Sequence, residues 1–174
     1  MPSGKAGKLP KGFVQKENAE RRGRPQMGLR IIKNARSFVG MKINATHISA
    51  VAVNAIGQII TGCHDLEIED TSPQTVVTLI KQLTIDCSDE AEMAGWPKPC
   101  AVGISLGGYV VDNAVVTFAP FMHWSQPVEL SAMVREATGL PTGIYNDIDS
   151  LVVDACLFGS GVGLDSFAVL TFGA

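Results

Sequence analysis

The sequence predicts an α/β domain built on a mixed β-sheet. Three consecutive strand candidates, at 38–43, 47–53 and 59–67, are joined by short links, and such a run is typical of an antiparallel meander. A Ser-Pro pair at 72–73 then marks the start of a helix, and the apolar run 101–106 follows that helix. Because a crossover helix joins parallel strands, we expect 101–106 to be a buried central strand that lies parallel to the first.

The elements around this central strand follow from apolar spacing and from the positions of Gly and Pro. The first helix is expected to end near Asp86, before a polar loop at 90–99. The remaining predicted elements, in chain order, are a hairpin that turns at 112–113, a helix at 128–138, a strand at 143–145, a helix from about 148 and a final strand at 167–172.

Composition indicates one globular domain. The chain has 174 residues, of which 46% are hydrophobic and 18% are charged, and this balance excludes a disordered chain. No apolar run reaches the length of a membrane span, so no membrane partner is expected. The cysteines include no C-x-x-C pair and predict free thiols in a reducing cytoplasm, with neither disulfides nor a metal site: Cys63, Cys87, Cys100 and Cys156.

Charge divides the chain into two parts, 1–36 and 37–174. Residues 1–36 carry ten Lys or Arg and two Glu, whereas residues 37–174 carry four Lys or Arg and fifteen Asp or Glu. A basic arm on an acidic body is typical of a segment that faces nucleic acid. A solvated tail without a partner is the alternative, and charge alone leaves both interpretations open.

A polar pair, Asn146 and Asp147, stands where the strand at 143–145 passes into the next helix. Ligands of α/β sheets bind outside the carboxyl ends of strands, so this pair is a candidate for holding a hydroxylated ligand, with Asp147 as a candidate general base. Asn and Asp are also favoured N-cap residues, and a purely capping role is the alternative. The helix that follows carries one apolar stripe, made of Leu151, Val152, Ala155 and Cys156.

The segment 141–161 resembles the strand–Asn-Asp–helix motif of the ROK family, which includes sugar kinases and sugar-responsive transcriptional repressors. In kinases of this family the Asp deprotonates the sugar hydroxyl, and in the repressors the Asn-Asp pair hydrogen-bonds the effector sugar. The matching residues are Asn146 and Asp147. The resemblance covers about 23–174 and implies a ribonuclease H-like lobe of the sugar kinase/actin (ASKHA) fold, a mixed five-stranded sheet with helices on both faces.

The stretch 42–47 departs from the kinase pattern of the family. The kinases carry Asp-x-Gly-Gly-Thr-Lys between the first two strands, and its glycines let the backbone wrap the ATP phosphates. Lys42 stands in the place of the Asp, and Asn44, Ala45 and Thr46 form a degenerate equivalent of the phosphate loop. This departure argues against phosphoryl transfer, so we expect no cofactor, and only a kinase would require Mg-ATP.

Two further motifs resemble the sugar side of the family's cleft. Gly107 and Gly108 match a turn whose backbone lies against the sugar. Phe121 replaces an Asn that contacts a sugar hydroxyl in the kinases, so one polar contact is missing or is supplied elsewhere. In the same loop, Trp124 is expected to pack and His123 to be exposed. Three carboxylates are interpreted as structural or solvated: Asp112, Asp149 and Asp154.

Residues 9–30 resemble the end of a winged helix-turn-helix wing in the ROK repressors and its exit into the sugar domain. The resemblance makes Arg21, Arg22 and Arg24 candidate contacts to DNA phosphates or to the minor groove. The eight residues before Leu9 are too few for the recognition helix, so DNA binding is expected of an intact protein. We interpret the chain as a truncated N-terminal lobe that lacks the family's second lobe.

The main hypothesis is a sugar-sensing transcriptional regulator of ROK type that performs no phosphoryl transfer. A sugar kinase that phosphorylates hexoses from ATP, with Asp147 as the catalytic base, is one alternative. A lobe that acts only as an interaction module is another. The expected partners are a sugar or sugar derivative, DNA in the intact protein, and a second copy of the chain, because apolar surface meant for a second lobe favours oligomers.

Overall fold

The computed structural model describes residues 14–18 and 27–171. Its elements, in chain order, are β1 (Val14–Asn18), β2 (Met27–Ile31), β3 (Ser37–Ile43), β4 (His47–Asn54), β5 (His64–Glu67), α1 (Pro73–Met93), β6 (Pro99–Leu106), β7 (Tyr109–Val111), β8 (Val115–Phe118), a short 3-10 helix (Pro120–Met122), α2 (Leu130–Thr138), β9 (Thr142–Asn146) and α3 (Asp147–Leu157). Within these described ranges, no helix combines the length and the apolar character needed to cross a lipid bilayer.

Five strands form one mixed sheet in the order β5-β4-β3-β6-β9. β3 pairs antiparallel with β4, and β4 pairs antiparallel with β5, so the predicted meander is confirmed. β6 lies parallel to β3, and β9 lies parallel to β6, with α1 and α2 as the crossover helices. The predicted fold class, an α/β lobe on a mixed five-stranded sheet, is therefore confirmed.

The register of the three parallel strands determines where their polar ends meet. Ile43 at the end of β3 pairs with Leu106 at the end of β6, and Leu106 pairs with Asn146 at the end of β9. Because the strands are parallel, their carboxyl ends lie at one edge of the sheet. The segments that follow these three strands therefore lie side by side, and they carry the candidate site.

One face of the sheet forms the hydrophobic core with α1 and α2. Strand side chains alternate between the two faces, so β3 buries Val39, Met41 and Ile43 and leaves Lys42 exposed. The two helices cover this face with fully buried side chains, which are Val76, Ile80, Leu83, Leu130 and Val134. Full burial of one such side chain stabilises the fold by roughly 1.5–3 kcal/mol, so this layer holds the lobe together.

α3 lies on the other face of the sheet and covers little of it. A groove of about 430 Å³ separates the two and is lined by Gly40, Gly103 and Tyr145 of the sheet and by Ser150 of α3. Helices on both faces are thus confirmed, but no residue of α3 is buried. The apolar stripe predicted on this helix stays outside the core, at Leu151, Val152, Ala155 and Cys156.

The third strand is shorter than predicted. Of the range 59–67, only His64–Glu67 forms β5. The strand is interrupted at Gly62, whose N–H donates to Glu90 Oε1 of α1 at 2.9 Å. Glu90 Oε2 lies 2.7 Å from His64 Nε2. The hydrogen bonds from Gly62 and His64 lower the pKa of Glu90, so an ionised carboxylate ties the start of β5 to α1.

Two other boundaries differ from the prediction. α1 continues to Met93 rather than ending near Asp86, because Cys87 and Ala91 extend its buried face. Cys87 and Ala91 are small residues at helical spacing within a polar stretch, so the sequence pattern did not reveal that α1 continues past Asp86. Residues 167–171 form no strand, so the predicted final strand is wrong over that part.

The N-terminal arm contains a hairpin, since β1 and β2 pair antiparallel over their full length. The sequence did not predict β2. The candidate DNA contacts Arg21, Arg22 and Arg24 lie outside the described residues.

A carboxylate fixes the start of α1. Asp70 accepts hydrogen bonds from the Ser72 hydroxyl at 2.6 Å, from the Thr75 hydroxyl at 2.6 Å and from the Ser72 N–H at 2.9 Å. These bonds lower the pKa of Asp70 to about 2. Ser72 in turn caps α1 by accepting from the Thr75 N–H.

The β7–β8 hairpin packs closely against the end of β6. Its turn is at the predicted place, where Asp112 and Asn113 adopt φ values of 52° and 54°. Gly108 leads from β6 into the hairpin, and a Cβ atom built on Gly108 would lie 2.5 Å from the Phe118 carbonyl oxygen. Because this neighbour is backbone, only glycine fits without displacing the hairpin.

We expect Asp70→Asn to lower the melting temperature near neutral pH and to flatten its fall in acid. A carboxylate whose folded pKa is about 2, against an ordinary value of 3.8, stabilises the fold above about pH 4 and loses this contribution as the pH falls toward 2. Thermal melts between about pH 2 and 7 measure the effect. Asp154→Asn, at an exposed position of α3, is the control. Identical pH profiles for Asp70→Asn and the unsubstituted chain would contradict the prediction.

We also expect Gly108→Ala to destabilise the lobe by about 1–3 kcal/mol, the usual cost of forcing atoms into a packed region. Gly103→Ala is the matched control, because Gly103 lies on β6, the strand that leads to Gly108, and a Cβ there meets nothing within 4 Å. Urea unfolding of both variants gives the two free energies of unfolding. Equal stability of the two variants would show that the hairpin can move away at no cost.

Candidate functional site

Four segments meet at the carboxyl edge of the parallel strands. They are the β3–β4 turn at 44–46, the turn at 107–108 after β6, the pair at 146–147 after β9, and the loop at 119–124. The first three meet because the register aligns the strand ends, and the loop joins them because Phe121 reaches the space over Gly107. Ligands of α/β sheets bind at such an edge.

Asn146 connects two of these segments through its side-chain amide. Its Nδ2 donates to the Gly108 carbonyl at 2.7 Å, and its Oδ1 accepts from the N–H groups of Ile148 at 2.8 Å and Asp149 at 3.4 Å. Both ends of the amide therefore have protein partners, and Asn146 is the N-cap of α3. The capping interpretation of this residue is confirmed, and Asn146 positions the turn at 107–108 beside Asp147.

Asp147 uses one carboxylate oxygen to hold the start of α3. Its Oδ1 accepts from the Ile148 N–H at 3.0 Å, and none of the described residues donates a hydrogen bond to Oδ2. Oδ2 and the Phe121 ring both lie near Gly107, since a Cβ atom built there would be 3.5 Å from Oδ2 and 3.6 Å from Phe121 Cε1. A ligand hydroxyl that reaches Oδ2 can donate to it.

The loop at 119–124 is held firmly in the core. Met122 and Trp124 are buried, and Trp124 Nε1 donates to the Thr71 carbonyl at 2.6 Å. Trp124 therefore packs, as predicted, and His123 is exposed, as predicted. Phe121 lies half-buried between these anchors. The sequence marked Phe121 as the loss of a polar contact, but it did not reveal that the ring stands beside Asp147.

Backbone N–H groups of the β3–β4 turn donate hydrogen bonds to a side chain of the same turn. Asn44 Oδ1 accepts from the Thr46 N–H at 2.9 Å and from the His47 N–H at 2.8 Å. The Thr46 hydroxyl also points to Asn44 Oδ1, at 3.3 Å. A phosphate loop works through free backbone N–H groups, and here at least two of them are occupied. Ala45 lies in the same turn, and its side chain carries no charge.

Lys42 does not occupy the edge itself. It lies on the open face of the sheet, one residue before the end of β3, and it is exposed. It lines the same groove as Ser49, Ser105 and Tyr145. Lys42 therefore places a cation on the sheet face.

The structure brings together the predicted sugar-site residues Asn146, Asp147, Gly107 and Gly108. Asp149 lies in the first turn of α3, where its charge suits the helix dipole. Within residues 30–171, no three His, Cys, Asp or Glu side chains are grouped to hold a metal ion. The chemistry that the edge offers is a hydrogen-bond acceptor, Asp147, beside an apolar wall.

Comparison with solved structures gives matches among both sugar kinases and regulators. The chain is similar to a ROK family glucokinase from Streptomyces griseus, solved with glucose and AMPPNP, at 30% identity over 73% of this chain and 38% of that chain, with a TM-score of 0.62. It is similar to a ROK family transcriptional regulator, a homologue of the E. coli MLC protein, at 20% identity over 86% of this chain and 39% of that one, with a TM-score of 0.63. A ROK hexokinase from Thermus thermophilus matches at 18% identity over 68% of this chain and 38% of its own, with a TM-score of 0.58.

The chain thus spans about two fifths of the length of these three solved proteins. A search of curated protein sequences returned no match. The model of the ROK family matches residues 38–174, which is most of the chain and includes every segment of the site. On this match and on the shared fold, the chain belongs to the ROK family.

Proposed function

We propose that this chain carries the first lobe of a sugar-sensing transcriptional regulator, in which Asp147 accepts hydrogen bonds from the sugar and no phosphoryl group is transferred. The observation that carries the proposal is the state of the β3–β4 turn. Its Thr46 and His47 N–H groups already donate to Asn44 Oδ1, while Asp147 Oδ2 at the same edge accepts no hydrogen bond from the described residues. The edge is therefore prepared to bind hydroxyls but not to wrap phosphates.

The electrostatics of the edge also favour binding without transfer. Phosphoryl transfer from ATP depends on positioned cations and on backbone donors around the phosphates. The turn here carries side chains where close approach is needed, and Lys42, two positions before the turn, cannot ligate magnesium. We infer that Mg-ATP is not a cofactor of this lobe.

The division of the chain into an arm, 1–36, and a lobe, 37–174, is part of the proposal. The arm carries ten Lys or Arg and two Glu, and its β1–β2 hairpin ends just before the lobe begins. In the proposed regulator the arm belongs to a DNA-binding wing, in which Arg21, Arg22 and Arg24 contact phosphates. A similar solved protein is itself a ROK family transcriptional regulator, matched over 86% of this chain.

A sugar kinase is the second candidate function. It is favoured by the 30% identity with the glucokinase from Streptomyces griseus, which was solved with glucose and AMPPNP. Under this function Asp147 would be the general base that takes the proton of the attacking sugar hydroxyl. The occupied N–H groups of Thr46 and His47 are the observation against it.

We expect Asp147→Asn to weaken sugar binding about 10- to 100-fold, because a hydrogen bond to a charged group contributes roughly 1.5–3 kcal/mol. The probe is a panel of hexoses and amino sugars, and the measurement is saturation-transfer NMR on the full chain at millimolar sugar. Asn keeps the shape of the side chain and its capping oxygen, so the fold is expected to persist.

Asp149→Asn is the matched control, since it removes a carboxylate from the same first turn of α3 without touching the space over Gly107. It should leave sugar binding unchanged. If Asp147→Asn binds every sugar as well as the unsubstituted chain does, Asp147 is only a helix residue and the sensing proposal fails at this site.

Mg-ATP is expected neither to raise the melting temperature nor to be consumed in the presence of any sugar of the panel. A ligand at about 100 times its dissociation constant would add about 2.7 kcal/mol to the stability of the folded chain. Thermal melts with and without Mg-ATP, and a coupled assay for ADP, test this expectation. Sugar-dependent release of ADP would replace the regulator by the kinase as the function of this chain.

A further inference from the structure

A row of polar residues crosses the open face of the sheet, because the strand register aligns them. Lys42 of β3 pairs with Ser49 of β4 on one side and with Ser105 of β6 on the other. Ser105 pairs in turn with Tyr145 of β9, and the Ser49 hydroxyl donates to Asp65 of β5. Neighbouring strands stand about 4.8 Å apart, so Lys42 and Ser105 are close enough to bind the same small group.

Lys42 and Ser105 have hydrogen-bond donors that no described residue uses. The Lys42 ammonium forms no ion pair, and the Ser105 hydroxyl forms no hydrogen bond, within the described part of the chain. Lys42 is one of four Lys or Arg in residues 37–174, which carry fifteen Asp or Glu. Lys98, by contrast, pairs with Glu92 at 2.9 Å. An unpaired ammonium beside an unused hydroxyl suits a ligand group that accepts hydrogen bonds and carries negative charge.

The groove between α3 and the sheet gives such a ligand a place to lie. Its volume is about 430 Å³, and Lys42 and Ser105 both line it. Small-molecule pockets measure roughly 300–1,000 Å³, so the groove is large enough for a small organic molecule. Gly40 and Gly103 pair with each other in its floor, and a Cβ atom built on either meets nothing within 4 Å. The floor beside the two donors is therefore flat and uncovered.

An aromatic ring borders this floor on the side of β9. A Cβ atom built on Gly143 would lie 2.9 Å from Tyr145 Cε2, so the Tyr145 ring folds back along its own strand. Gly143 pairs with Gly103, which places the ring next to the flat part of the floor. Aromatic rings pack favourably against one another in offset or edge-to-face arrangements. The groove thus combines charged and polar donors at one end with a flat floor and an aromatic border.

We propose that this groove binds a small aromatic carboxylate, whose carboxylate lies on Lys42 and Ser105 and whose ring lies over Gly40 and Gly103 beside Tyr145. The two oxygens of a carboxylate match one ammonium and one hydroxyl. A phosphate is typically held by several backbone N–H groups or by arginine, and neither lines the groove. The site is separate from Asp147 and does not depend on the proposed sugar-binding function.

The test compares four probes on the full chain by saturation-transfer titration. Benzoate and its uncharged isostere benzamide measure the effect of charge, and we expect benzoate to bind about 10- to 100-fold more tightly, as is usual for hydrogen bonds to a charged group. Cyclohexanecarboxylate keeps the charge but has no planar ring, and phenyl phosphate keeps the ring but changes the anion. Both are expected to bind more weakly than benzoate.

Three variants locate the binding. Lys42→Met keeps the apolar stem of an exposed side chain and removes its charge, so it is expected to remove the preference for benzoate over benzamide. Lys81→Met is the matched control, because Lys81 lies on α1 and lines a different cavity, and it should change nothing. Gly103→Val places a side chain in the groove and is expected to weaken benzoate binding at least 10-fold. Thermal melts check that each variant is folded.

Several results would overturn the inference. They are equal binding of benzoate and benzamide, no binding of either, and a preference that Lys42→Met leaves unchanged. Benzoate binding that Gly103→Val does not weaken would place the anion outside the groove. Tighter binding of cyclohexanecarboxylate or phenyl phosphate than of benzoate would contradict the aromatic carboxylate as the ligand class. Asp147→Asn should leave benzoate binding unchanged, so failure of this inference and failure of the sugar-binding proposal are distinguishable.

Discussion

One side chain, Asn146, holds the functional edge together. It is the last residue of β9, the terminal parallel strand of the sheet, and its amide both caps the following helix and donates to the carbonyl of Gly108 at 2.7 Å. The cap sets the direction of α3 and therefore of Asp147, and the bond to Gly108 sets the turn that Asp147 faces. Because the two roles use opposite ends of one amide, the Asp147 carboxylate and the turn at 107–108 are fixed relative to each other. The rest of the site depends on this alignment.

The helix that presents Asp147 is anchored mainly at its ends. No residue of α3 is buried, and at its far end Phe158 lies against Gly57, in the turn that follows β4. A segment with few buried contacts belongs to the less stable part of a fold, and such segments are the ones that respond to ligands. The lobe thus combines a rigid strand edge, held by the core between sheet and α1, with a lightly held helix. Occupancy of the edge by a sugar would act first on α3.

The sequence was sufficient for the sheet because its signals were local and strong. Short links predicted the meander, and the glycine-bounded apolar run at 101–106 predicted the central parallel strand. Asn146 and Asp147 could be placed because a strand, two polar residues and a helix follow one another without a gap. The approach of Phe121 and Asp147 to the same residue, Gly107, could not be predicted, since the segments that carry them are adjacent only in space. The break at Gly62 was equally hidden, because Gly62 donates its N–H to Glu90, a residue of another element.

Under the proposed function, the turn after β3 is the feature that separates a sugar-binding regulator from a sugar kinase. In a phosphate-binding turn, glycines keep the backbone N–H groups open to a ligand, and no side chain competes for them. Here Asn44 is placed where its own oxygen can reach two of those N–H groups, and it binds both at 2.8–2.9 Å. Asn44 therefore does more than add bulk to the turn, because its side chain satisfies two backbone N–H donors that a phosphate would need. A phosphate would have to displace the Asn44 oxygen, which belongs to the same chain and therefore loses no translational freedom on binding these N–H groups. The nearby residue Lys42 would not supply a magnesium ligand. Under the proposed function, Asp147 at the same edge would bind the sugar, and the β3–β4 turn would bind no phosphate.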